Sequence, residues 1–128
     1  MTFDEQLSSY ARLVAEVGLN LQGGQQLMAT APLEASPLLA RVAEAAYGRG
    51  VRYVHPLYSD DAVTLARFNF APRDSFGYYP EWLARGMLET LEQNGARLSV
   101  TGNDPDLLKG QDGDAIAAAQ RAAQTALK

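Results

Sequence analysis

The sequence has 128 residues, 47% of them hydrophobic, and it carries a formal net charge of −4. This length is typical of one domain, so a single domain over residues 1–128 is predicted. The acidic balance and the scattered Lys and Arg residues argue against a nucleic-acid partner. The lack of cysteine excludes disulfides, a thiolate nucleophile and Cys-ligated zinc. No apolar run approaches the roughly 20 residues of a membrane span, and residues 1–5 have no signal-peptide pattern, so a cytoplasmic protein without a membrane partner is expected.

The first segment, residues 2–18, has the pattern of an amphipathic helix. Thr2 and Glu5 fit a capping box at its start, and Gly18 is placed to end it. Apolar residues recur at helical spacing along one face. They are Phe3, Leu7, Tyr10, Ala11, Val14 and Val17.

The next segments alternate strand and helix signals. A strand over residues 26–31 ends at Pro32, and a second helix begins with Ser36 as its N-cap. A second strand covers residues 51–55 and is bounded by Pro56. Strand, helix and strand in this order predict a right-handed βαβ unit with parallel strands.

Two further helices follow. The Ser59 hydroxyl is placed to cap the third helix, which ends before Pro72. The fourth helix is expected over residues 80–94, with Gly95 as its C-cap. The apolar residues expected to face inward from these two helices are Val63, Ala66, Phe68, Phe70, Trp82, Leu83, Met87, Leu88 and Leu91.

A third strand over residues 96–101 and an Ala-rich helix over residues 113–128 complete the pattern. The predicted fold is α/β and three-layered: a small parallel sheet flanked by helices, flavodoxin-like or Rossmann-like. Three strands make a thin parallel sheet, which normally has further strands beside it. The fold is therefore expected to be incomplete at the C-terminus, as the front part of a longer protein.

The candidate binding residues lie in the loop after the third strand: Thr101, Gly102, Asn103 and Asp104. Ligands of open α/β sheets bind at the carboxyl ends of the strands, and this loop would present free backbone N–H groups there. The alternative is a turn that only caps a short helix. An anionic ligand would be repelled by Asp104 and Asp106.

No catalytic or metal-binding residue is predicted in this chain. A two-metal site needs several converging Asp, Glu and His side chains, and His55 is the only histidine. His55 is expected to be structural or solvent-facing. Asp60 and Asp61 are adjacent on a helix, do not face one another, and are interpreted as dipole partners. No known nucleophile or phosphate-binding motif is present.

Laid end to end, the segments resemble the N-terminal domain of the thermophilic-type metallo-aminopeptidases, the AmpS, AmpT and PepS family. The resemblance covers nearly the whole chain. It rests on four ordered stretches: VGLNLQGGQQLMATAPLEA (residues 17–35), AYGRGVRYVH (46–55), YSDDAVTLARFNFAP (58–72) and LSVTGNDPDLLKGQD (98–112).

The resemblance implies a full-length hydrolase, about three times this long, that removes N-terminal residues from peptides with two divalent metal ions, zinc or cobalt. The metal ligands would be Glu, His, Tyr and Asp side chains of a C-terminal catalytic domain, the missing partner of this chain. The 128 residues would hold no metal, help to shape the substrate space, pack in a homodimer and be inactive alone. The alternative is a stand-alone flavodoxin-like module for small-ligand binding or protein interaction.

Overall fold

The computed structural model describes residues 2–101 and 106–126. Their helices are α1 (Phe3–Leu13), α2 (Ser36–Gly48), α3 (Asp61–Phe70), α4 (Glu81–Glu92) and α5 (Gly113–Ala126), and their strands are β1 (Gln26–Pro32), β2 (Tyr53–Ser59) and β3 (Ala96–Ser99). The chain divides into two compact units. The first comprises residues 1–58 and 90–101, and the second comprises residues 59–89 and 102–128. The expectation of a single domain stays a prediction.

The first unit contains the three-stranded sheet, in which β1 lies between β2 and β3. β1 and β3 run parallel, with Leu27 opposite Ala96 and Thr30 opposite Ser99. A helix that follows one strand carries the chain back to the end of the sheet where that strand began. The next strand therefore runs in the same direction. The predicted α/β class, with a small parallel sheet flanked by helices, is confirmed.

One face of this sheet packs against α1 and α2. Every second side chain along β1 and β3 points to this face. Leu98 of β3 packs against both clusters of buried residues in the core. The buried residues of those clusters are Ala11, Ala15, Leu21, Leu27, Ala29, Ala31, Leu39, Val42, Ala46, Val51 and Val54. Small alanines let helices and strands approach closely, which gives the unit a dense core.

The predicted first helix forms, but only part of its apolar face is buried. The Thr2–Glu5 capping box is present. Ala11 and Ala15 are buried, whereas Phe3, Tyr10 and Val17 are exposed. Regular helix ends at Leu13 and continues as a π-turn, Val14–Gly18. Because i→i+5 bonding reduces the rotation per residue, the π-turn turns Val17 away from the buried side.

Three predicted boundaries are wrong. Ser36 is already helical and makes no cap, because a 3₁₀-turn over Leu33–Ala35 runs directly into α2. β2 contains Pro56 instead of ending before it, which an outer strand of the described sheet tolerates. The cap of α3 is Asp60 rather than Ser59, since the Asp60 carboxylate accepts the Ala62 N–H at 2.9 Å.

α4 ends in a Schellman arrangement one residue before the predicted cap. Asn94 takes the left-handed conformation with φ +63°. The Gly95 N–H donates to the Thr90 carbonyl at 2.8 Å, and the Asn94 N–H donates to the Leu91 carbonyl at 3.1 Å. Gly95 is needed for the close approach of Thr90 rather than for an unusual backbone angle.

The second unit has a small core made by α3, the loop after it and α5. Phe68 stacks on Phe76 with ring centroids 5.1 Å apart, and both pack with Ala115. The guanidinium groups of Arg67 and Arg73 lie 5.2 and 4.9 Å from the Phe76 ring centroid. Arg73 also donates to the Phe68 carbonyl at 2.8 Å. These contacts hold the loop over residues 71–80 against α3.

Several inward positions predicted for α3 and α4 are wrong. Val63, Phe70, Trp82 and Leu91 are exposed, and only Phe68 and Ala84 of these helices are buried apolar residues within the second unit. Leu83, Met87 and Leu88 are half-buried. Helical spacing identified the apolar residues but did not determine which of them the described chain covers.

Candidate functional site

The predicted binding loop follows β3 at the carboxyl edge of the sheet. The Val100 N–H donates to the Thr30 carbonyl at 2.8 Å, which holds the end of β3 beside β1. Thr101 follows immediately and is exposed. Gly102, Asn103 and Asp104 lie outside the described residues. The ligand-binding role of Thr101 and its three neighbours therefore stays a prediction.

A polar group that sequence reasoning missed joins three elements near the amino end of β1. His55 Nε2 lies 2.8 Å from Gln26 Oε1, and Gln26 Nε2 donates to Gln93 Oε1 at 2.9 Å. An amide oxygen only accepts, so the assigned orientation of Gln26 requires the proton on His55 Nε2. The Tyr53 ring lies beside the imidazole, with ring centroids 4.6 Å apart.

This His55–Gln26–Gln93 group connects β2, β1 and the segment after α4. A general base needs a substrate or nucleophile within reach, whereas His55 contacts the Gln26 amide and the Tyr53 ring. The arrangement suits strand alignment better than catalysis. Alternation along β1 indicates that Gln26 lies on the opposite face from the buried Leu27, but it does not identify His55 as the partner of Gln26.

The second unit contains an open groove of about 770 Å³ between α4 and α5. Its lining combines small apolar residues with two arginines. Arg85 pairs with Glu81 at 2.7 Å within α4, and Arg121 lies on the α5 side. The lining residues are Gly77, Tyr79, Glu81, Ala84, Arg85, Leu88, Ala118, Arg121, Ala122, Thr125 and Ala126.

The described residues do not fit the two-metal centre that the resemblance implies. In residues 2–101 and 106–126, no three His, Asp or Glu side chains converge as a metal site would require. Asp60 is used as a helix cap, and the imidazole of His55 bonds to Gln26.

A membrane-crossing role finds no support in the helices. Within the described part of the chain, every helix is too short or too polar to span a bilayer.

Comparison with known proteins identifies a family for this chain. Residues 3–128 match the family described as Thermophilic metalloprotease (M29). The chain is 42% identical over 125 residues to Aminopeptidase 2 of Geobacillus stearothermophilus, covering 98% of this chain and 30% of that protein. It is 37% identical over 126 residues to Aminopeptidase T of Thermus aquaticus, covering 98% of this chain and 31% of that protein.

A solved structure, that of wild-type AmpT from Thermus thermophilus, superposes with a TM-score of 0.91 at 36% identity. The match covers 98% of this chain and 32% of the AmpT chain. The chain therefore spans about a third of the length of the relatives that it matches, as the resemblance predicted. Sequence and fold agree over nearly all of its residues, and the chain belongs to the thermophilic metalloprotease (M29) family.

Proposed function

We propose that this chain is the N-terminal domain of a two-metal-dependent aminopeptidase, which as a full-length protein removes N-terminal residues from peptides. The observation that carries the proposal is the alignment itself. Relatives named as aminopeptidases match 98% of this chain with only 30–31% of their own length. Two thirds of the working protein would then lie in a second, catalytic domain, and residues 1–128 would act as one domain beside it.

The side chains of this chain indicate which tasks each domain of the full-length protein would have. The described residues lack a converging set of metal ligands, so the proposed zinc or cobalt pair would be held by the catalytic domain. This chain would then contribute walls of the substrate space and packing surfaces. The loop that begins at Thr101 is proposed to face peptide, because it follows a strand at the carboxyl edge of the sheet.

The full-length protein is further proposed to act in the cytoplasm as a homodimer. A chain without cysteine needs no disulfide and therefore no oxidising compartment. Exposed aromatic and aliphatic side chains on α1, α3 and α4 leave apolar surface for a catalytic domain and for a second copy.

A chimaera tests the proposal with available parts. The matching third of Aminopeptidase 2 of Geobacillus stearothermophilus is replaced by residues 1–128, and hydrolysis of leucine 4-nitroanilide is measured with added zinc or cobalt. At 42% identity we expect turnover within about 10-fold of the parent enzyme, a loss of about 1.4 kcal/mol or less in transition-state stabilisation.

Two control proteins are assayed beside the chimaera. Residues 1–128 alone, and the parent enzyme without its matching third, should both be inactive. A chimaera that has the parent's circular dichroism spectrum and thermal midpoint but does not turn over the amide would refute the proposed role. In an active chimaera, Thr101→Ala should raise KM while kcat changes little, because the residue would touch peptide rather than the reacting bond.

A further inference from the structure

The connection between α4 and β3 contains an asparagine followed by a glycine, Asn94 and Gly95. Asn94 is exposed and takes the left-handed conformation, with φ +63°. Asparagine enters this conformation more easily than most residues, because its short amide can hydrogen-bond locally. Gly95 is required for a different reason, since a Cβ there would lie 2.5 Å from the Thr90 carbonyl oxygen. The geometry of the connection therefore favours each residue of the pair independently.

This pair has a chemical reactivity of its own. The main-chain nitrogen of the residue after an asparagine can lose its proton and attack the side-chain carbon Cγ. A bond forms between that nitrogen and Cγ, the Cγ–Nδ2 bond breaks, ammonia leaves with the proton, and a cyclic succinimide results. Water then opens the ring at either carbonyl, which gives aspartate or isoaspartate. Glycine favours the attack, because it has no side chain beside the nitrogen and its backbone rotates freely.

The other asparagines of the sequence are less reactive by this argument, because a larger residue follows each of them. Asn20 precedes Leu21, Asn69 precedes Phe70, and Asn103 precedes Asp104. Asn20 offers a close comparison with Asn94, since it is also exposed and left-handed, with φ +47°. The two positions differ in the residue that follows, so the sequence favours Asn94 for deamidation.

In the folded chain, both polar groups of the peptide bond between Asn94 and Gly95 are hydrogen-bonded. The Gly95 N–H donates to the Thr90 carbonyl at 2.8 Å. Gln25 Nε2 donates to the Asn94 carbonyl oxygen at 2.9 Å. The attack requires Gly95 to lose the proton that it donates and the peptide plane to turn toward Cγ of Asn94. Both hydrogen bonds must therefore break before the succinimide can form.

We propose that Asn94 is a site of spontaneous deamidation, and that its rate is controlled by the hydrogen bonds of its peptide bond to Thr90 and Gln25. Helix ends open locally at a smaller free energy than global unfolding requires, so the reaction proceeds slowly in the folded chain. The product adds a negative charge and, as isoaspartate, one more main-chain carbon. Because β3 begins directly after this connection, the modified chain should have a lower thermal midpoint.

Peptide mapping by mass spectrometry measures the site and the rate. Residues 1–128 are incubated in mildly alkaline buffer, either folded or in concentrated urea, and deamidation is followed at each asparagine. In urea, Asn94 should react faster than the other three asparagines. Folding should slow the reaction at Asn94 at least about 10-fold. Faster reaction of another asparagine in urea would overturn the site, and a smaller effect of folding would overturn the control by hydrogen bonding.

Gln25→Glu tests the hydrogen bond from Gln25 directly. It removes the Nε2 donor but keeps an oxygen for the Gln22 N–H, which Gln25 Oε1 accepts at 2.8 Å. Deamidation of the folded chain should become about 2- to 10-fold faster, the equivalent of one hydrogen bond, while the rate in urea stays the same. Gln6→Glu is the matched control, because Gln6 is exposed on α1 and the charge change is identical; its rates should equal those of the wild type. Circular dichroism checks that the variants fold.

Asn94→Gly separates this site from other chemical damage. Glycine keeps the left-handed conformation and has no side-chain amide to lose. After long incubation the wild type should show a lower thermal midpoint, whereas Asn94→Gly should keep its initial value. An equal decrease in both proteins would show that another reaction causes the loss and would refute the proposed consequence for β3. A Gln25→Glu chain that deamidates no faster than the Gln6→Glu chain would refute the role of Gln25.

Discussion

Gly95 connects α4 to β3 at a point where the backbone is too crowded for a side chain. A Cβ built at this position would lie 2.5 Å from the Thr90 carbonyl oxygen, 2.6 Å from Thr90 Cγ2 and 3.2 Å from the Gln26 carbonyl oxygen. Ordinary contact begins at 3.4 Å, so Gly95→Ala requires the Thr90 carbonyl to move by about 0.9 Å. The same carbonyl accepts the Gly95 N–H at 2.8 Å, and this hydrogen bond would stretch with it.

The change in the free energy of unfolding combines two costs with one gain. Overpacking of this kind costs about 1–3 kcal/mol, and the weakened hydrogen bond costs about 0.5–1.5 kcal/mol. Alanine gains about 0.4–1 kcal/mol by restricting the unfolded chain. We therefore expect Gly95→Ala to lower the free energy of unfolding by about 0.5–4 kcal/mol and the thermal midpoint by roughly 2–16 °C, at about 4 °C per kcal/mol for a chain of this size.

Urea denaturation followed by circular dichroism measures this free energy, with Gly48→Ala as the control in the same unit. A Cβ at Gly48, the last residue of α2, would meet nothing within 4 Å, so alanine there should be neutral or stabilise by up to about 1 kcal/mol. If Gly95→Ala is at least as stable as the wild type while Gly48→Ala behaves as expected, the argument from crowding at Thr90 is wrong.

Three other outcomes are expected. Leu27→Ala removes a fully buried side chain from the central strand and should cost about 2–5 kcal/mol in urea unfolding; a loss below 1 kcal/mol would mean that the β1 core is loosely packed. Arg73→Ala loses its bond to the Phe68 carbonyl and its contact with the Phe76 ring and should cost about 1–3 kcal/mol, whereas Arg85→Ala, which loses an exposed pair, should stay within about 0.5 kcal/mol. Calorimetric titration of the isolated chain with zinc or cobalt should detect no tight binding; two metals bound per chain would contradict the domain assignment.

Sequence patterns predicted the element order well, because each element carries its own local signal. The Thr2–Glu5 capping box, the strand that starts at Gln26 and the helix that begins at Gly113 all follow from spacing and cap chemistry alone. Boundaries failed where tertiary context decides, as at Pro56. In a sequence, proline predicts the end of a strand. An outer strand tolerates proline because the N–H groups on one side of its backbone have no neighbouring strand to bond to.

The candidate site was less predictable. The His55–Gln26 contact depends on which strands become neighbours, and residues 29 positions apart carry no local sign of it. The loop beginning at Thr101 could be placed at a sheet edge from its position after a strand, but no residue pattern identifies what it binds. Family resemblance supplied the functional expectation, because the residues that the structure describes bring together no group of metal ligands that would itself indicate the chemistry.

The side chains that helical spacing wrongly predicted to be buried are large ones. Seven of the sixteen buried apolar residues within the described chain are alanines, whereas eight of the eleven aromatic residues are exposed. Isolated domains normally do the reverse, since burying an aromatic side chain gains more free energy than burying alanine. Small residues therefore close the local core, and large ones such as Tyr10 and Trp82 are left outward. Such a distribution is costly for a free-standing module but stabilising once further surfaces pack on it, and it supports the proposal that this fold works inside a larger, dimeric aminopeptidase.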